Sequence, residues 1–357
     1  MSSGQRKNWI YCIRGLAIIA VVVCHQQGVL HESEYIQLVS LYSVTTLVFL
    51  MGLTKALSIR SHSQEIGRSI AGYTVRSMVP VLLAYAFANS VYLYIAIGRV
   101  DLVECWHTML TFSTSGPFYY IRYYIILSVL APLLYTLSRR ILLSGQSRVR
   151  RYALAFLYIF ALWMIGYYTT WSFNVLASSY LSIYTVGLCV GVLLMERPAD
   201  VNKKLLLGFG AVCLVGGFIL TYFFYMANVA GNEHYSEGLN YFFPKLQINP
   251  PNPAIILYAA GVVICAYFVF TRLERMNWKL LWKPFYLLGK YSLDIFIWHL
   301  FVRDQVTYHI YRWDIAINSL IFKNALYYSI MFALPILYRW LLNQARAMVY
   351  AEMKKAR

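Results

Sequence analysis

The chain has 357 residues; 60% are hydrophobic, only 13% are charged, and the mean hydropathy is +0.56. A soluble domain carries roughly 25% charged residues, so this composition excludes a soluble globular enzyme, a disordered chain and a collagen-like repeat. The net charge of +17 would point to nucleic acid in a soluble protein, but in a membrane protein it belongs on cytoplasmic loops.

The polar segment Met1 to Asn8, with Arg6 and Lys7, leads straight into an apolar stretch with no small-residue cleavage site. It reads as the approach to a retained first span, not as a signal peptide. A crossing needs about 20 apolar residues. Ten spans are predicted on that basis: 9–29, 37–58, 77–97, 118–138, 152–171, 176–195, 205–226, 254–271, 285–302 and 319–342. The expected fold is an all-α polytopic membrane helix bundle of about ten transmembrane helices, a single domain over 1–357 with no appended soluble domain. The longest outer connection, 227–253, carries Pro244, Pro250, Pro251 and Pro253 and reads as an ordered external loop.

Basic residues give the orientation. With the N-terminus inside and strict alternation, only Arg99, Arg122, Lys245, Arg303, Arg312 and Lys323 fall outside, leaving 25 of the 31 basic residues inside. Deleting one span would flip every later loop. The positive-inside rule therefore favours an even number of spans and two cytoplasmic termini.

Five of the six cysteines lie in apolar runs and only Cys105 in a polar connection, so no disulfide framework is expected. Neither a CxxC pair nor a His/Cys cluster has zinc spacing, and no metal site is expected. Most of the abundant aromatics belong to interfacial belts or core.

Ionisable side chains inside spans are costly and are functional candidates. Arg14 and His25 stand eleven residues apart in the first span, on nearly the same helix face and about 16 Å apart along the axis. They are either a snorkelling Arg with an interfacial His or two ends of one polar path. Asp294 is the one acid placed in hydrocarbon, with Lys290 one turn earlier or Arg14 across the bundle as partner. Ser292 stands beside it, and His299 lies near the outer end of the same span. Two imidazoles at similar depth, His25 and His299, suggest one polar pocket below the outer surface. In Arg76-Ser-Met-Val-Pro80, Pro80 is placed in the first turn of the third span. Arg76 is then either a topogenic charge or an anchor for a cytoplasmic phosphate.

These elements resemble the acyltransferase-3 family of integral membrane acyltransferases. Arg14-Gly15 with His25 matches its first-span signature. Val48-Phe49-Leu50-Met51-Gly52 resembles its second-span run, Arg76 to Pro80 its basic-then-Pro element, and Phe118 through Pro132 its fourth span. Gly289, Ser292, Leu293, Phe296 and His299 resemble its late Gly…Ser-Leu…His element. The likeness covers nearly the whole chain in order. Departures are Tyr11 where an Asp is usual, Tyr73 where a second Arg is common, and Met51 for a common Ser.

The resemblance implies a bacterial inner-membrane O-acetyltransferase. It would move acetyl from cytoplasmic acetyl-CoA to a sugar hydroxyl of a cell-surface polysaccharide such as O-antigen or exopolysaccharide. No bound cofactor is implied; acetyl-CoA is a substrate, and the glycan acceptor and the bilayer are the other partners. His25 is then the general base, Arg14 and Arg76 hold the donor, and Ser292, Asp294 and His299 support or orient the site. A transporter or flippase for a lipid-linked sugar, using Arg14 and Asp294 as coupling charges, is the competing reading. A glycan polymerase is a further rival, although the outer loop offers it only Lys245. Acetyl-CoA dependence separates these classes.

Overall fold

The computed structural model describes residues 8–25, 34–66, 70–99, 101–170, 178–198, 202–229, 251–312 and 320–355. Nearly all of the expected loop 227–253, with Lys245, lies outside the described residues, as do Arg6 and Lys7.

The described residues form helices and no strands. In chain order these are α1 (Asn8–Cys24), α2 (Glu34–Ser40), α3 (Ser43–Ile66), α4 (Ile70–Ile97) and α5 (Leu102–Thr111). Next come α6 (Tyr119–Leu143), α7 (Arg148–Thr170), α8 (Ser178–Glu196) and α9 (Lys203–Val229). The chain ends with α10 (Pro253–Arg275), α11 (Lys279–Lys290), α12 (Ser292–Arg312) and α13 (Leu320–Lys355). Within the described residues every predicted span falls mainly on helix. Among the described residues seven stretches are long and apolar enough to cross a membrane, and α1 and most of α8 are apolar but shorter.

Three features differ from expectation. The span 285–302 is not one helix: α11 ends at Lys290, Tyr291 breaks the run, and α12 starts at Ser292. Pro80 lies inside α4, which begins at Ile70, and not in its first turn. Proline is tolerated inside a membrane helix because neighbouring groups satisfy the carbonyl it leaves without an N–H, here that of Arg76. A short amphipathic helix, α5, occupies the connection between α4 and α6. Asp101 caps it by accepting from the N–H groups of Val103 and Glu104. The fully buried Asn89 of α4 then ties it down by donating to Cys105 O at 3.2 Å and Thr108 Oγ1 at 3.2 Å.

Centre and perimeter separate clearly. The apolar window of α2–α3 is 78% buried, whereas that of α7 is 17% buried and carries exposed Phe156, Leu157 and Phe160. Apolar side chains gain nothing by leaving lipid for protein, so central helices associate through close backbone contact at small residues. Gly52 of α3 and Gly187 of α8 meet this way. A β-carbon on Gly52 would overlap Tyr184 O, and one on Gly187 would overlap Phe49 O.

The crossing that builds the site joins α1 to α11. A β-carbon on Gly15 would overlap Phe285 O, and one on Gly289 would overlap Tyr11 O. Tyr11 and Tyr286 add an edge-to-face contact with centroids 5.2 Å apart. Ten residues beyond each glycine stands a histidine, His25 and His299, and these also meet. Helix α1 and the α11–α12 run are therefore parallel and in step over about 15 Å.

Candidate active site

At its C-terminal end α1 presents His25, and α12 presents His299 beside it. The ring centroids are 5.1 Å apart and the planes are inclined by 67°. His299 is 1% exposed. Each ring is held by a carbonyl of the preceding turn: His25 Nδ1 lies 2.8 Å from Val21 O, and His299 Nδ1 lies 2.7 Å from Phe296 O. A carbonyl oxygen only accepts, so each Nδ1 carries a proton. The Nε2 of His299 is buried without a hydrogen-bond partner. Such a group is costly to keep and calls for an explanation.

Arg303, one turn beyond His299, reaches back to α1. Its Nη1 donates to His25 O at 3.0 Å while its Nε donates to Asp304 Oδ1 at 2.7 Å. A cation on the last carbonyl of a helix satisfies an otherwise orphaned acceptor and complements the dipole. The backbone of His25 is thereby pinned at the point where α1 ends.

Arg14 lies in the other half of α1, among Tyr11, Tyr120 and Tyr124. Its guanidinium sits 5.8 Å from the Tyr11 ring centroid, and its Nη2 is 3.5 Å from Thr54 Oγ1, a long and weak contact. Arg14 faces a cavity of about 2110 Å³ bounded chiefly by α1, α3, α6, α7, α8, α9, α10 and α12. Asn8, Lys203 and Arg275 line one end of this cavity. Arg14, Tyr120, Ser292 and Phe296 line the part nearest the histidines. The Tyr120 and Phe296 rings stand 4.7 Å apart, and Phe296 is 5.7 Å from His299. One aromatic layer thus separates the cavity from the imidazole pair. Thr46, fully buried on the same wall, has a hydroxyl without a partner.

Asp294 finds neither Lys290 nor Arg14. Its carboxylate is paired with Arg339 of α13, whose Nε donates at 2.8 and 2.9 Å to the two oxygens and whose Nη2 is 2.6 Å from Oδ1. Lys290 lies over the Tyr291 ring instead, 5.3 Å from its centroid. The sequence reads Arg339 as a cytoplasmic topogenic charge; in the structure it is half-buried and is the counter-ion of Asp294.

Arg76 is exposed on α4 and not gathered with Arg14. Its neighbour Ser77 turns inward and accepts from Lys55 Nζ at 2.8 Å. Lys55 is 8% exposed, so it too is more than a topogenic charge. Among the described residues no cluster of three or more His, Cys, Asp or Glu can hold a metal, and all six cysteines are free thiols.

The sequence places the chain among known proteins. A family model described as an acyltransferase domain, Acyl_transf_3, matches residues 7–343. No curated protein and no solved structure matches. The family match covers α1 through most of α13 and includes every residue of the site above. The chain belongs to the acyltransferase-3 family, and it is a membrane acyltransferase.

Proposed function

We propose that this acyltransferase moves an acetyl group from cytoplasmic acetyl-CoA to a sugar hydroxyl of a bacterial cell-surface polysaccharide, such as O-antigen or exopolysaccharide. The protein would do so in the inner membrane with both termini cytoplasmic. The observation that carries this reading is the imidazole pair: two rings on parallel helices, each tied through Nδ1 to its own helix, one aromatic layer beyond an Arg14-lined cavity.

His25 is the general base. Its Nε2 takes the proton of the acceptor hydroxyl as the oxygen attacks the thioester carbonyl. The carbon–sulfur bond then breaks, and the imidazolium returns the proton to the coenzyme A thiolate. His299, packed edge-on against His25, orients it.

Donor phosphates need cations on the cytoplasmic side. Arg76, exposed on α4, meets them at the surface, and Arg14 guides the pantetheine arm through the cavity. Ser292 and Asp294 support the site from the first turn of α12, Asp294 by anchoring that turn to Arg339. Acetyl-CoA is a substrate, and the chemistry as written uses neither a metal nor a bound cofactor.

Membranes bearing the wild type or His25→Ala would be given acetyl-labelled acetyl-CoA and the host's surface glycan, and label would be counted in base-labile ester. Ester label with the wild type, reduced 10²–10⁴-fold in the variant, is the expected result. Equal label with both moves the base elsewhere. An expressed wild type that labels none of a panel of glycans overturns acetyl transfer to sugar.

A further inference from the structure

We propose that Tyr92 of α4 is a positioning residue for the imidazole pair, because its hydroxyl bridges both polar groups of the backbone rung that encloses His299. The hydroxyl donates to Ile297 O at 3.0 Å and accepts from Phe301 N–H at 2.8 Å. In an uninterrupted helix those two groups bond to each other, four residues apart. Here a side chain from another helix serves both, which one hydroxyl can do with its single donor and its acceptor lone pairs. The phenol thus ties both groups of this rung to α4.

The bridged turn is the one that carries His299. The carbonyl immediately before it, Phe296 O, takes the Nδ1–H of His299. That bond fixes the tautomer and aims Nε2. Tyr92 therefore shapes the turn from which the ring is held. The phenol is clamped in turn: its ring stacks on Trp298 with centroids 6.2 Å apart and meets Phe118 and Phe301 edge-on at 5.3 and 5.8 Å. Without the hydroxyl, the turn loses its tie to α4, and His299 can shift relative to His25.

The kinetic arm of the test rests on the acetyl-transfer reading; the geometric arm does not. Tyr92→Phe removes one oxygen and keeps the ring. Its kcat for acetyl transfer should fall on the order of 10²-fold, the scale of an ångström of misplacement, with KM for acetyl-CoA unchanged. Tyr85→Phe is the matched control: it deletes another α4 hydroxyl bonded to backbone, at Met109 O, 3.0 Å away, and should leave kcat unchanged. A wild-type kcat in Tyr92→Phe, or equal losses in the two variants, overturns the proposal.

The geometric arm places His25→Cys and His299→Cys in a chain freed of its six native cysteines. Dibromobimane fluoresces when it bridges two thiols. Bridging should be fast with Tyr92 present and roughly tenfold slower with Tyr92→Phe, since a small rotation separates well-oriented groups. Equal rates overturn the positioning role. Tyr92-dependent bridging in a protein that transfers no acetyl would sink the acetyl reading and keep the positioning role.

Discussion

Asp294 and His299 stand five residues apart on α12 and are held in opposite ways. Asp294 meets a guanidinium through three close contacts, so the charge is neutralised and the oxygens are engaged. His299 has one nitrogen tied to its own helix and the other buried with no partner. A satisfied pair anchors two helices, whereas an unsatisfied acceptor beside a second imidazole keeps unused bonding capacity. Both groups are buried and polar, so burial alone does not tell an anchor from a reactive centre. The difference lies in which atoms still have bonding capacity.

The largest expected effect comes from moving the imidazoles apart. Gly289→Val puts carbon where Tyr11 O already lies, so α1 and α11 must separate. Acetyl transfer should fall by about 10²-fold or more, together with the thermal stability of the detergent-solubilised protein. An active, stable Gly289→Val protein would mean that this crossing does not set the register of the two histidines.

Next comes the ion pair. Arg339→Met leaves Asp294 buried without its counter-ion and should cost about 3–5 kcal/mol of stability. Asp294→Leu with Arg339→Met should recover most of that loss, because apolar replacement of both partners is often neutral or better. Surviving molecules of the double variant should retain acetyl transfer. A double variant that is stable but inactive would move Asp294 from anchor to chemistry.

The donor cations give the smallest effects. Arg14→Gln should raise KM for acetyl-CoA about tenfold, as expected for one lost hydrogen bond to a charged group. Arg76→Gln should raise it only a few-fold, because an exposed ion pair contributes about 1 kcal/mol at most. The reverse order would make the surface charge the main donor contact.

Much of the fold was legible because lipid demands long apolar segments: within the described residues the predicted spans fall mainly on helix, seven of them long enough to cross a membrane. The pairing of His25 with His299 was foreshadowed by their similar depth. A sharper signal went unread, namely that Gly15 and Gly289 each precede a histidine by ten residues. Two helices in parallel contact at those glycines bring the histidines to one level. The partner of Asp294 was not legible, since Arg339 sits near the inner end of a basic-tailed span and looks like any topogenic charge. Lys55 was obscured for the same reason. Tyr92 is one of 32 tyrosines, and only three-dimensional contact separates it from the aromatic belts. The break at Tyr291 was not legible, because no proline marks it and the apolar pattern resumes at Leu293.

The most direct measurement is a double-mutant cycle on acetyl transfer with His25→Gln, His299→Gln and the two combined. Two imidazoles acting as one unit predict that the combined variant is about as slow as His25→Gln alone, because residues that act together are strongly non-additive. Losses that multiply would show that the two rings contribute independently, and the imidazole pair would then not be the catalytic unit.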